Sequence, residues 1–518
     1  MDVLQGQVLA LVTTQQREVP FWEYALLATI LLLFVGVQIL TMTRSLVWDE
    51  AAFLGNARRV WGESKYTEDF RNPLLPFIIG TSWLVAGESV FAGRMVSVLA
   101  GVAAILLTYA LARHHTRHAI WLVVLVATNT QFLFWSGFAY AEILTIACTL
   151  LGAYLFERAE TARRDEPSTG RQEARREARQ GLRRQEGGWR ALSRGAWWYL
   201  GVGVAFGLGF LARFAGAIII LTVGAYLLLR DVGRRSLKRT LFFAVGILLP
   251  VLPWMLNNYR LHANPFWDAQ TQATTIATYT TAQPLALLLV PLLVGSLAFF
   301  VIIMFGALFG ARRPQPMELL WWSNFVLFLL LHAFIIRLKF ARYSLALLPF
   351  LVILAAYGLG SAERPSQPSW RRLLTRWMTL ALLLLVLLSA VPSAISFFHE
   401  KERLQVCDEL VPLSVKVLDG ILREDALVDP VLGSNIWVYF GYLNNVNVFS
   451  LYTPEWEVYM REVAPDYILY QDTDGLAFDE DILRGLERDG TLLPAQQIRG
   501  ACGTITIWRA THVIPQQT

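Results

Sequence analysis

The sequence predicts a polytopic α-helical membrane protein that carries a small α/β domain at its C-terminal end. Two observations predict it. Runs of roughly 20 apolar residues, each long enough to cross a bilayer, recur through residues 21–396 of a 518-residue chain that is 55% hydrophobic and only 16% charged. Beyond residue 396 the character changes: residues 397–518 carry about ten net negative charges. There, β-like runs such as ALVDPVLGS, NVNVFSLY, DYILYQD and TITIWRA alternate with helix-like pieces such as LVPLSVKVLDGILRED. The expected division is therefore a membrane domain over residues 1–396 and an extracytoplasmic α/β domain over residues 397–518.

Taken in order, the crossings are expected at residues 21–43, 91–112, 119–135, 143–156, 197–212, 214–229, 241–256, 284–310, 319–336, 343–359 and 377–396. The first run is too long for a cleaved signal peptide and no small-residue cleavage site follows it, so it is read as an anchor. The Arg-rich stretch 157–194 and the shorter basic loops at 113–118, 230–239, 312–313 and 371–376 belong on the cytoplasmic side by the positive-inside rule. Together they give about eleven transmembrane helices in the cell (plasma) membrane, with the N-terminus cytoplasmic and the C-terminal domain outside. Residues 73–86 do not fit this alternation and are read as a helix lying in, or dipping into, the outer face. Three cysteines exclude a disulfide framework, though an extracytoplasmic setting would permit Cys407 and Cys502 to pair.

Charge at a membrane boundary is costly, and this chain places it repeatedly on one side. Asp49 and Glu50 stand side by side just after the first apolar run, in LVWDEAAFLGNARRVW, and Glu142 opens the fourth. Such acids point to a reaction or transport site. The bland alternative for the pair is a helix N-terminus, where acids favour the dipole. Arg94, Arg213, Arg337, Lys339 and Arg342 share that outer side against the rule; singly they read as snorkelling residues, but as a group they suit an anion held at the outer face. His114, His115 and His118 read as a solvated polar turn. Glu166, Glu173, Glu177 and Glu186, interspersed in the Arg-rich loop, suit a solvated helix near anionic lipid and not nucleic acid. No Walker loop or dinucleotide fingerprint is present, which argues against ATP or NAD.

The order of an Asp-Glu pair after the first span, RNPLLP, GRMVSVLAGVAAILLTYALAR, FAYAEI, GLGFLARFAG and RLKFARYSLALLPFLVILAAYGL resembles the GT-C glycosyltransferases. Within them the likeness is to the protein O-mannosyltransferase and aminoarabinose transferase group, and it covers residues 21–360. Asn72-Pro73-Leu74 stands where the family has Pro-Pro-Leu, Glu142 stands where many relatives carry Asp, and Asn257, Asn258 and Tyr259 resemble an outer-loop segment of the family. The resemblance implies a GT-C-like fold and a mannosyltransferase-like enzyme moving a sugar from a polyprenyl (dolichyl or undecaprenyl) phosphate to a protein, glycan or lipid acceptor at the outer face. The leaving phosphate needs charge neutralisation more than a proton, which suits Arg94, Arg213, Arg337, Lys339 and Arg342, with Tyr343 adding a hydroxyl. The acceptor hydroxyl must lose a proton, which suits Asp49 as base. Glu50 and Glu142 would orient acceptor or sugar, and either could take a divalent ion; no other cofactor is implied. Single displacement predicts inversion, unlike a glycosidase with flanking acids. The competing readings are a transporter or lipid-linked-sugar flippase, and a structural membrane protein. The chain has no internal repeat and its charges cluster at one face, which favours transfer.

Overall fold

The computed structural model describes residues 20–43, 46–62, 64–66, 68, 70–164, 185–232, 237–278, 284–309, 315–336, 340–362, 369–406, 410–427, 429–451, 460, 464–472, 480–500 and 503–511. Its helices run in the order α1 (Phe21–Leu40), α2 (Trp48–Trp61), α3 (Leu74–Ala86), α4 (Val90–Arg113), α5 (Ala119–Ala127), α6 (Thr130–Trp135), α7 (Ala141–Arg164), α8 (Gln185–Ala212), α9 (Ala217–Val232), α10 (Lys238–His262), α11 (Trp267–Thr278), α12 (Ala286–Phe309), α13 (Pro316–Leu330), α14 (Leu348–Ala362) and α15 (Ser369–Val406). Short 3-10 turns, Phe214–Gly216 and Ala341–Leu347, lead into α9 and α14.

Among the described residues six helices are long and apolar enough to cross a membrane, or seven if a bent pair within α12 is one span. That is fewer than the eleven or so expected, and the causes are local. The third expected span is broken into α5 and α6, because Asn129 leaves the helix at the junction and caps α6 through its side chain, Phe132 N donating to Asn129 Oδ1 at 3.0 Å. The apolar part of α8, Trp197–Ala212, is short for a span. Residues 73–86, not expected to cross, form α3, a 13-residue helix too short to do so.

Burial separates the helices into a centre and a rim. The stretch Ala341–Ser361, holding α14, is 94% buried inside the protein, with Phe350, Leu351, Val352 and Ile353 fully enclosed, and it packs against α4, α5, α7, α12 and α13. By contrast α10 exposes Leu241, Leu248, Leu249, Leu252 and Leu256 along one side, as a lipid-facing helix does. Glycine sets the closest crossing: a Cβ at Gly203 of α8 would fall 2.2 Å from Phe243 O of α10, and one at Gly246 of α10 would fall 2.2 Å from Leu200 O. Bare backbone at both positions lets the two helices touch.

Helix α15 runs unbroken past residue 396, the expected domain boundary, to Val406. After it come α16 (Leu410–Glu424), β1 (Val431–Ser434), α17 (Trp437–Leu443), β2 (Asn447–Ser450), β3 (Tyr467–Gln471), α18 (Glu480–Arg488), β4 (Leu492–Gly500) and β5 (Gly503–Ala510). They form one five-stranded sheet of order β2-β1-β3-β5-β4, parallel where β1 meets β2 and β3, antiparallel where β5 meets β3 and β4. Leu432, Tyr467, Leu469, Ile505 and Ile507 of the sheet bury against Leu410 and Leu418 of α16. Cys407 and Cys502 lie outside the described residues. This unit touches the membrane part through α17, which packs on α2: Arg58 Nη1 donates to Tyr442 O at 2.8 Å and its guanidinium lies 4.8 Å from the Tyr442 ring.

Candidate active site

Helix α2 begins at Trp48, so Asp49 and Glu50 fall in its first turn, where carboxylates meet the positive end of the helix dipole. Glu50 also accepts from the backbone N–H of Val47 at 3.3 Å, the reciprocal half of a capping box. Consecutive helical residues diverge by about 100°, so the two acids face different neighbours.

Glu50 turns inward and is fully buried. Arg94 of α4 grips it with both arms of the guanidinium, Nε to Oε1 and Nη2 to Oε2, each at 2.7 Å. Ala139 N donates to Oε1 at 2.9 Å, and Arg94 Nη1 donates to Thr43 O. The Phe138 ring lies 5.1 Å from the guanidinium. This clasp ties the end of the first span to α2, α4 and the turn before α7, and it sets Arg94 apart from the other outer cations.

Asp49 faces the other way, into a cluster assembled from distant parts of the chain. Arg71 Nη1 donates to Asp49 Oδ1 at 2.8 Å, and Arg342 Nη2 donates to Asp49 Oδ2. Arg213, in the turn before α9, donates through Nη1 to Glu142 Oε1 in the first turn of α7. Arg342 joins the two halves: its Nε lies 3.4 Å from Glu142 Oε1. Aromatic faces line the cations, with the Arg213 guanidinium 4.4 Å from the Tyr343 ring and that of Arg342 4.5 Å from Phe340 and 5.2 Å from Tyr140. Burial works against the charge on Asp49, but Arg342 and Arg71, with Arg213 behind them, hold its carboxyl below the usual carboxylate range.

The structure thus brings Asp49, Glu142, Arg213, Arg342 and Tyr343 together and places Glu50 with Arg94 in the adjoining clasp. Arg337 and Lys339 lie outside the described residues. Three participants are additional. Arg71 and Glu68 occupy the loop before α3, where Arg71 Nε donates to Glu68 Oε2 at 2.5 Å and Tyr66 OH to Glu68 Oε1 at 2.6 Å. Asn56 of α2 holds that loop by two bonds to the Glu68 backbone, at 2.9 and 2.8 Å. Tyr140 stands two residues before Glu142, buried at 1% exposure. Among the described residues no group of three or more His, Cys, Asp or Glu could hold a metal ion. Asp49 and Glu142 already carry guanidiniums, a setting that opposes a further cation.

Comparison with known proteins bears on the fold. The family of dolichyl-phosphate-mannose-protein mannosyltransferases matches residues 71–167 and 188–256. The chain has the GT-C glycosyltransferase fold. It is similar to a crystal structure of ArnT from Cupriavidus metallidurans bound to undecaprenyl phosphate, with a TM-score of 0.58 and 15% identity over 94% of this chain and 99% of that one. It is likewise similar to the oligosaccharyltransferase AglB from Archaeoglobus fulgidus in complex with an inhibitory peptide and a dolichol-phosphate, with a TM-score of 0.56 and 14% identity over 96% of this chain and 75% of that one. The mycobacterial arabinofuranosyltransferase AftD gives 0.53 and 13%, over 94% of this chain and 40% of that GT-C protein. No curated protein matches in sequence.

Proposed function

We propose that this protein is an inverting glycosyltransferase that moves a sugar from a polyprenyl phosphate to an acceptor at the outer face of the membrane. The observation that carries the reading is the partly buried cluster in which Asp49 and Glu142 meet Arg213 and Arg342. As the bond from the anomeric carbon to the phosphate breaks, negative charge grows on the phosphate oxygens, and preplaced guanidiniums stabilise that growth more than they stabilise the ground state. Asp49 takes the proton of the attacking acceptor hydroxyl. Glu142, held by Arg213, orients the sugar beside it. Glu50 and Arg94 supply the rigid frame on which Asp49 is mounted. The C-terminal sheet, docked through α17 onto the helix that carries Asp49, borders the acceptor side and is an extracytoplasmic domain. The family match supports a mannosyltransferase-like donor, and the two solved relatives bound to polyprenyl phosphates support a lipid carrier.

Incubating the purified protein with dolichyl- and undecaprenyl-phosphate sugars and with peptide, glycan and lipid acceptors should yield a transferred sugar of inverted anomeric configuration. Movement of the lipid-linked sugar across a vesicle bilayer without transfer would establish a flippase instead. Orientation is tested by labelling intact cells that carry single cysteines in a cysteine-free background. A site at Gly490 should react with an impermeant maleimide and one at Leu237 should not. Equal labelling would overturn the outer placement of Asp49.

A further inference from the structure

Asp49 is held twice, and the two holds differ. Arg71 is anchored: its Nε is bound to Glu68 at 2.5 Å, Glu68 is bound to Tyr66, and Asn56 stitches the loop to α2. Arg342 is divided between Asp49 Oδ2 and Glu142. Its Nε is buried without a hydrogen-bond partner among the described residues, and so is the Tyr140 hydroxyl beside it. A buried hydroxyl with no hydrogen bond, beside a guanidinium N–H held only by a long 3.4 Å ion pair to Glu142, is costly. Both groups suit an anionic oxygen, next to the one cation that Asp49 shares with Glu142.

Resting on the glycosyltransferase reading, we propose that Arg71 is a positioning residue that keeps Asp49 in place, while Arg342 is its exchangeable partner. A lipid phosphate entering beside Tyr140 draws Arg342 off Asp49 and so converts a doubly paired carboxylate into a working base. Until then Asp49 is ionised but quenched, because two guanidiniums oppose its protonation. Afterwards one remains, enough to orient the carboxylate and too little to suppress its basicity. Catalysis then waits for the donor, and an acceptor alone is not activated. The charged and titratable groups facing Asp49 are Arg71 and Glu68 from the loop, Arg213, Arg342 and Tyr343 from the two turns, Tyr140 and Glu142 from the start of α7, Glu50 on its own helix and Tyr439 on α17.

The test needs no knowledge of the sugar. Purified protein in detergent is titrated by infrared difference spectroscopy, the Asp49 carboxyl band being the one absent from Asp49→Asn, with and without undecaprenyl phosphate as probe. Adding the lipid should raise the Asp49 midpoint by about one pH unit or more, the scale of one neighbouring charge. Arg71→Gln should raise the midpoint in lipid-free protein and still respond to lipid, with Arg71→Lys restoring most of the original value. Arg342→Gln should raise it and abolish the response. A midpoint indifferent to lipid, or a response lost in Arg71→Gln and kept in Arg342→Gln, would overturn the exchange. Melting temperatures identify variants that fail to fold, and for those the Lys variant of Arg71 decides. Should Asp49→Asn transfer sugar normally while the lipid response persists, the base assignment falls and the exchange stands.

Discussion

Two ion-pair regions lie back to back on α2, one built on Glu50 and the other on Asp49, and they are closed to different degrees. All three nitrogens of the Arg94 guanidinium donate to Glu50 or to Thr43 O, and Glu50 accepts two backbone N–H groups besides, from Val47 and Ala139. In the Asp49 region one guanidinium is shared between two carboxylates and buried donors are left over. A satisfied network specifies a shape; an under-satisfied one next to it is where a ligand completes the bonding. Adjacent residues of the same charge thus separate into frame and working site by how their neighbours are spent.

The largest expected effect breaks the frame. Arg94→Ala leaves a buried, unpaired Glu50, which typically costs about 3–5 kcal/mol, so thermal unfolding of the purified variant should be strongly advanced and little active protein recovered. If Arg94→Ala melts normally and only weakens donor use, the clasp belongs to the site and the contrast collapses. Next comes Arg342→Ala, which should weaken donor use by the equivalent of about 2–5 kcal/mol while leaving the melting temperature nearly unchanged. Arg342→Lys should rescue only in part, since a point charge does not replace a planar fork. An unchanged donor concentration dependence and maximal rate would make Arg342 an anchor. Asp49→Asn keeps the shape and should lower turnover by about 10²-fold or more; near-normal turnover at saturating donor would remove Asp49 as base. Smallest is Tyr140→Phe. Because its hydroxyl has no hydrogen bond at rest, stability should be unmoved, whereas losing one hydrogen bond to the donor, about 1 kcal/mol, should reduce donor affinity roughly fivefold. A fall in melting temperature with unchanged affinity would place Tyr140 in the frame.

Much of this site is legible in the sequence because expense is legible. Asp49, Glu142, Arg213 and Arg342 each stand at the edge of an apolar run, where a charge is costly and therefore conspicuous. What distinguishes Glu50 from Asp49 is not written locally. It depends on helix phase and on Arg94, 44 residues away, contacts that only folding creates. Arg71 and Glu68 sit in a polar loop, YTEDFRNP, where charge costs little and so gives no warning. The crossings fared similarly: long apolar helices such as Val90–Arg113 and Lys238–His262 match their patterns. The break at Asn129 lies in a short polar patch, TNTQ, that the apolar residues beyond it outweigh, since hydropathy records composition and is blind to a cap.

The phase of α2 also constrains what this chain can tolerate over evolutionary time. Removing or adding one residue in the stretch 51–55 of α2 would leave the composition, the apolar runs and the charge count almost untouched. Yet it would turn the helix start by about 100°, presenting one carboxylate where the other's neighbours wait. A helical stretch with no ionisable side chain is thereby as intolerant of a change in length as the carboxylates are of replacement.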